Sequence, residues 1–124
     1  MGAQLSYFEI TSPNVEQAQA FYQQMFGWTV HVLPDAGGYG IVNTNAGENS
    51  IGGGIGASDR NDNGGVRIYF HEPDLIAALA RAVELGGTVV QEPTDIPDFG
   101  TIAVFADPDG NRIGLWDQAG LNAQ

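Results

Sequence analysis

The chain has no lysine, no cysteine and only two histidines. Without lysine there is no Schiff-base chemistry and no lysine general base. Without cysteine there is no disulfide framework, no thiolate nucleophile and no zinc–thiolate site. Basic residues are limited to four arginines against 15 acids, for a net charge of −11. So little basic surface argues against nucleic acid and anionic membranes as partners. Apolar runs are too short to cross a bilayer. The opening Met1-Gly2-Ala3-Gln4 lacks the basic-then-apolar pattern of a signal peptide. A cytoplasmic protein is expected.

What is present fits a globular chain. At 124 residues, with 43% apolar content and 18 glycines, residues 1–124 are expected to form one domain with many tight turns. The same pattern is written twice, about 60 positions apart. Phe8 and Ile10 lead through Asn14 into an apolar-periodic helix that stops at Gly27-Trp28. Ile68 and Phe70 lead through Asp74 into another, which stops at Gly86-Gly87. The copies close alike, Ile51-Gly52-Gly53 falling where Ile113-Gly114-Leu115 falls. Such a repeat marks one supersecondary module used twice.

The spacing predicts module one over about 4–57, a linker over about 57–65 and module two over about 66–118. Module one reads as a strand at 5–10, a helix capped by Asn14, and strands near 28–33, 39–44 and 50–56. Val15, Ala18, Tyr22 and Met25 are expected to form the buried helix stripe, with Phe21 and Trp28 also in the core. Module two reads as a strand at 66–71, a helix near 75–85 and strands near 88–91, 101–105 and 112–117. Its helix turns Leu75, Ala78, Leu79, Ala82 and Val83 inward, and Asp107-Pro108-Asp109-Gly110-Asn111 forms a turn. Each module is βαβββ. The fold class is α+β, two such modules with mixed curved sheets forming a cleft.

The order and spacing of Phe21-Tyr22, Phe26-Gly27-Trp28, Ile51-Gly52-Gly53-Gly54-Ile55 and the Asp107–Asn111 turn into Ile113-Gly114-Leu115-Trp116 resemble the vicinal oxygen chelate superfamily. That superfamily includes glyoxalase I, extradiol dioxygenases and the bleomycin- and fosfomycin-resistance proteins. The resemblance covers nearly the whole chain and is nearest to the small glyoxalase-like proteins. It implies strand side chains that hold a divalent ion, commonly through His and Glu, and that ion polarises substrate oxygens. Carried over residue by residue, those positions are Tyr7, Gly52 (or Gly53), Arg67 and Gly114. Two have no side chain, one is a permanent cation, and neutral tyrosine is a poor donor. The resemblance therefore leads here to a protein without a metal or other cofactor. A displaced site built on His71 with Glu72 and Asp74 is the alternative. His31 and His71 otherwise read as surface residues, and Asp59 and Asp62 as solvated turn residues rather than a calcium loop.

Strand alternation places Tyr7 and Glu9 on one face, and Arg67 and Tyr69 on the equivalent face of module two. Trp116 looks the same way as Gly114. Glycines at 52 and 114 are expected to leave volume for a small aromatic or anionic ligand in an aromatic-lined cleft. Arg67 and Glu9 read either as a mutually satisfied ion pair or as a binding fork beside a general base. The expected function is metal-free binding of a small molecule. A lyase or isomerase, of glyoxalase type or metal-free with Glu9 as its base, is the alternative, and a non-catalytic interaction module the third. The resemblance also implies a homodimer.

Overall fold

The computed structural model describes residues 2–58, 65–96 and 99–117. It divides into two compact units. One runs from Tyr7 to Arg67; the other joins the residues before Tyr7 to the chain from Ile68 onward. Most of the expected linker, with Asp59 and Asp62, lies outside the described residues.

The first unit contains β1 (Leu5–Ser12) from Tyr7 on, α1 (Val15–Phe26), β2 (Thr29–Val32), β3 (Gly40–Asn43) and β4 (Gly52–Ala57). The strands lie in the order β2-β3-β4-β1, with β1 parallel to β4 and the other pairs antiparallel. The Asn14 side chain accepts from Gln17 N at the start of α1, satisfying a donor that the helix leaves open. Gly27 ends the helix in the left-handed region at φ 72°, where a Cβ would be disfavoured.

On the helix side of β1 and β4, Phe8 covers Gly53 and stacks near Trp28, with ring centroids 5.2 Å apart. Tyr22 and Phe26 extend this cluster, at 5.7 and 5.0 Å from Trp28. Of the expected stripe on α1, Val15, Ala18 and Tyr22 are half-buried, and the rest of the face departs from expectation. Its one buried residue is Gln19, whereas Phe21 and Met25 are 59% and 63% exposed. At about 100° per residue, Phe21 falls on the side of the helix opposite Gln19. The Gln19 amide is held inside because it donates to Gly38 O at 2.9 Å and to Ile55 O at 3.0 Å.

The second unit repeats the topology with β5 (Gly65–His71) from Ile68 on, α2 (Leu75–Glu84), β6 (Thr88–Ile96), β7 (Gly100–Ala106) and β8 (Arg112–Asp117). Its order is β5-β8-β7-β6, again with one parallel pair, β5 with β8. Residues 4–6, expected in module one, group here: Ser6 Oγ donates to Tyr69 O, and His71 N donates to Gln4 O. Asp74 caps α2 by accepting from Ala77 N at 3.0 Å.

Leu75 and Leu79 of α2 pack with Ala103 and Leu115, flanked by Phe70 and Phe105. This core stops at Leu79, so Val83 on the last helical turn is 52% exposed rather than buried. β6 runs five residues beyond its expected end at 91. Two register shifts carry it past Pro93, which an edge strand tolerates because no ladder donor is demanded there. The Asp107 turn forms as expected, its carboxylate accepting from Asp109 N, Asn111 N and Asn111 Nδ2, each at 2.9 Å.

The repeat is visible in the pairing itself. Tyr7 faces Gly52 across β1 and β4, and Tyr69 faces Gly114 across β5 and β8.

Candidate functional site

In the first unit, β1 carries Tyr7 and Glu9, and β4 carries Gly52 and Gly54 directly opposite them. Paired residues of parallel strands point to the same side, so the face away from Phe8 has side chains on one strand and none on the other. That face is completed by Tyr39, which enters from the turn before β3. Its hydroxyl lies 2.7 Å from the Tyr7 hydroxyl and donates to Glu9 Oε2 at 3.1 Å.

The direction of this chain follows from proton counting. An ionised carboxylate only accepts, and a phenol has one hydrogen. The Tyr39 hydrogen goes to Glu9, so Tyr7 is the donor to Tyr39. Burial pushes the Tyr39 hydroxyl far above its usual range, and the neighbouring Tyr7 and Glu9 add to the effect. That direction keeps the phenol a neutral donor at neutral pH.

The other oxygen of Glu9, Oε1, lies 4.0 Å from Arg67 Nη1, with the two side chains 19% and 27% exposed. This distance is the outer limit of an ion pair and longer than the roughly 2.7–2.9 Å of a charge-assisted hydrogen bond. The first unit thus brings together Tyr7, Glu9, Arg67 and Gly52 among the residues singled out in the sequence. It adds Tyr39, which was missed. The signal for Tyr39 was the alternation Gly52, Gly54, Gly56: a strand face without side chains needs a large group laid over it. A Cβ on Gly54 would collide with the Tyr39 hydroxyl, and one on Gly56 would come within 3.0 Å of Tyr39 Cε1. At Gly52, a Cβ would meet only Val42 O, at 3.2 Å.

The second unit holds Tyr69, Gly114 and Trp116. The space beside Gly114 is not vacant, as the sequence suggested; the Tyr69 ring lies in it, and a Cβ there would sit 2.7 Å from Tyr69 Cγ. Tyr69 is buried, at 3% exposure. Trp116 is half-buried, and its indole N–H donates to Phe99 O at 2.7 Å. His31 and His71 are both exposed. Among the described residues there is no cluster of three or more His, Cys, Asp or Glu side chains. None of the described helices is long and apolar enough to cross a membrane.

Comparisons with known proteins agree with this architecture. The anthracycline biosynthesis protein DauV of Streptomyces sp. (strain C5) is 32% identical over 131 residues, covering 90% of this chain and 46% of DauV. The chain spans less than half the length of the curated relatives it matches. Among solved structures, methylmalonyl-CoA epimerase from Mycobacterium tuberculosis superposes with a TM-score of 0.69 at 17% identity, over 97% of this chain and 91% of that one. A variant of the Streptomyces coelicolor epimerase in complex with 2-nitronate-propionyl-CoA gives a TM-score of 0.66 at 18% identity, over 95% and 96%. At these identities the likeness is one of fold. The fold is that of the vicinal oxygen chelate proteins; the model of the glyoxalase-like domain matches residues 8–116, and the chain belongs to that glyoxalase-like family.

Proposed function

We propose that this chain is a glyoxalase-like binding protein that takes a small aromatic or anionic molecule at the site formed by Tyr7, Glu9, Tyr39 and Arg67, without using a divalent ion. The observation that carries the reading is the Tyr7–Tyr39–Glu9 hydrogen-bond chain beside Arg67 on a face floored by glycine. A few convergent polar groups over a smooth apolar surface are the usual make-up of a small-molecule site. Of the positions that the resemblance assigns to metal ligands, Gly52 and Gly114 offer no side-chain donor. Arg67 is a permanent cation, and the Tyr7 hydroxyl is engaged with Tyr39. This donor set does not fit a divalent cation.

The name of the relative DauV, taken from anthracycline biosynthesis, adds weight to an aromatic ligand. A homodimer acting in the cytosol as one domain completes the proposal. The exposed Phe21, Met25 and Phe26 on α1 give a second copy an apolar surface to cover.

The test is a thermal-shift screen of small aromatics and aromatic carboxylates on the wild type and Arg67→Ala. Hits that shift the wild type, with the carboxylates losing about tenfold in affinity in Arg67→Ala, support it. No hit in either protein would sink it. A second reading, a metal-free lyase or isomerase, draws on the half-buried Glu9 carboxylate set between a hydroxyl and a cation. It requires turnover of a bound hit that Glu9→Gln abolishes while binding persists.

A further inference from the structure

We infer that the ligand of this site presents a hydroxyl on an aromatic ring, a phenol or ring enol, and that it binds by taking the place now held by the side chain of Tyr39. This rests on the binding reading above and names the chemistry that such binding selects.

The Tyr39 position makes two demands on whatever fills it. Its occupant accepts a hydrogen bond from the Tyr7 hydroxyl and donates one to Glu9 Oε2. A hydroxyl does both at one atom, as the Tyr39 phenol does now. A carboxylate there has no hydrogen to give and faces the Glu9 charge. A plain hydrocarbon ring leaves the Tyr7 donor and the Glu9 acceptor without the partner they have now, and losing such partners in a half-buried site is costly. The floor sets the shape of the rest. Gly54 and Gly56 let a flat ring lie directly on β4, and any side chain at either position would occupy the ring's volume.

The main chain of Tyr39 is fixed, so displacement falls to its side chain. Tyr39 follows the exposed turn at Pro34–Gly38, and its main chain is held on both sides: Leu33 N donates to Tyr39 O at 2.9 Å, and Tyr39 N donates to Ala36 O at 3.1 Å. Clearing the glycine floor with the backbone in place would therefore take rotation about the side-chain bonds alone. The ring that enters has to outweigh the one that leaves, which favours a fused system over a single phenol because it buries more apolar area. The Arg67 guanidinium, 4.0 Å from the other Glu9 oxygen, would take a second, anionic substituent of the same ligand.

The experiment uses 2-naphthol, naphthalene and 2-naphthoate as probes, titrated calorimetrically into wild type, Tyr39→Ala and Tyr39→Phe. Displacing an internal ring reduces apparent affinity by the fraction of molecules with the site open. Removing that ring in Tyr39→Ala should tighten 2-naphthol by about tenfold if about a tenth of the wild type is open. Naphthalene should bind Tyr39→Ala clearly more weakly than 2-naphthol does. Tyr39→Phe keeps a ring on the floor without its two hydrogen bonds, so it should bind 2-naphthol more tightly than the wild type. This arm stands even if Tyr39→Ala does not fold.

Equal affinity for naphthol and naphthalene, or no gain in the Tyr39 variants, would overturn the inference while leaving the binding reading intact. Failure of all three probes on every folded protein would remove both. In the wild type, bound 2-naphthol should shift the Tyr39 ring resonances; unchanged resonances at saturation would also overturn it.

Discussion

The side-chain amide of Gln19, in the middle of α1, donates to the main-chain carbonyl of Ile55 at 3.0 Å, and Ile55 is fully buried on β4. The same nitrogen reaches Gly38 O at 2.9 Å, at the end of the turn that carries Tyr39. One glutamine therefore ties the helix, the central strand and the mount of Tyr39 together within the first unit. The close packing around it extends to Gly40, where a Cβ would lie 2.7 Å from Gln19 Nε2.

Replacing Gln19 with leucine keeps the volume and removes both donations. Two carbonyls then lose their partner in a buried setting, at a cost of roughly 1–3 kcal/mol. Urea denaturation should show a lower midpoint with an unchanged slope. A variant as stable as the wild type would mean that the amide is not holding the strand.

The two glycines at equivalent places in the repeat should respond differently to alanine. At Gly114 the added methyl meets the ring of Tyr69, which is buried and has no room to retreat. Overpacking of this kind costs about 1–3 kcal/mol. At Gly52 the methyl meets a single carbonyl oxygen at 3.2 Å on an exposed strand end, and the change should stay within about 0.5 kcal/mol. Melting temperatures of Gly114→Ala and Gly52→Ala decide this; equal losses would contradict the described packing of Tyr69.

Much of the fold was legible because the two modules repeat the same local signals. Asn14 and Asp74 are N-caps with the same geometry, and each opens a helix that ends beside glycine. The register of Tyr7 on Gly52 and Tyr69 on Gly114 realises a correspondence already present in the sequence. The first helix was harder to read because apolar periodicity assumes that the inward face is apolar. Here a glutamine faces inward, since main-chain carbonyls and not side chains await it, and large apolar residues face out.

The site was half legible. Alternation along β1 identified Tyr7 and Glu9. It is silent about Tyr39, which stands just outside a strand and reaches the site across a turn. The volume expected at Gly114 was misjudged for a related reason. A glycine reports only that something large lies close; whether that is a ligand or the protein's own tyrosine is a matter of three-dimensional packing.

Acid stability provides a further prediction. The Asp107 carboxyl is held below the usual carboxylate range, first by the Asn111 side chain and then by main-chain donors of the same turn. A group whose folded pKa is depressed stabilises the protein above its unfolded value of about 3.9, and that contribution is lost as pH falls through the lower, folded value. The wild type should therefore hold this contribution at neutral pH and shed it below about pH 4. Asp107→Asn should be less stable at pH 7 and show a shallower acid limb. Parallel stability curves for the two proteins from pH 7 to pH 2 would show that the turn makes no such contribution.

The last prediction concerns cations. Restoring a metal site would require donors where Gly52 and Gly114 have none, and removal of the guanidinium that sits 4.0 Å from Glu9. The Arg67 guanidinium is a cation beside Glu9, so an approaching divalent ion meets repulsion from it. Nickel, zinc or manganese titrated into wild-type protein should produce no saturable thermal shift. Arg67→Ala removes the cation beside Glu9 but supplies no further ligand, and one carboxylate with two phenols is too weak a set to hold such ions. That variant should also stay unshifted, which separates a site short of donors from one merely blocked by charge. A stoichiometric ion bound by wild type would overturn the metal-free reading outright, whereas one bound only by Arg67→Ala would make the guanidinium a plug in an otherwise competent centre.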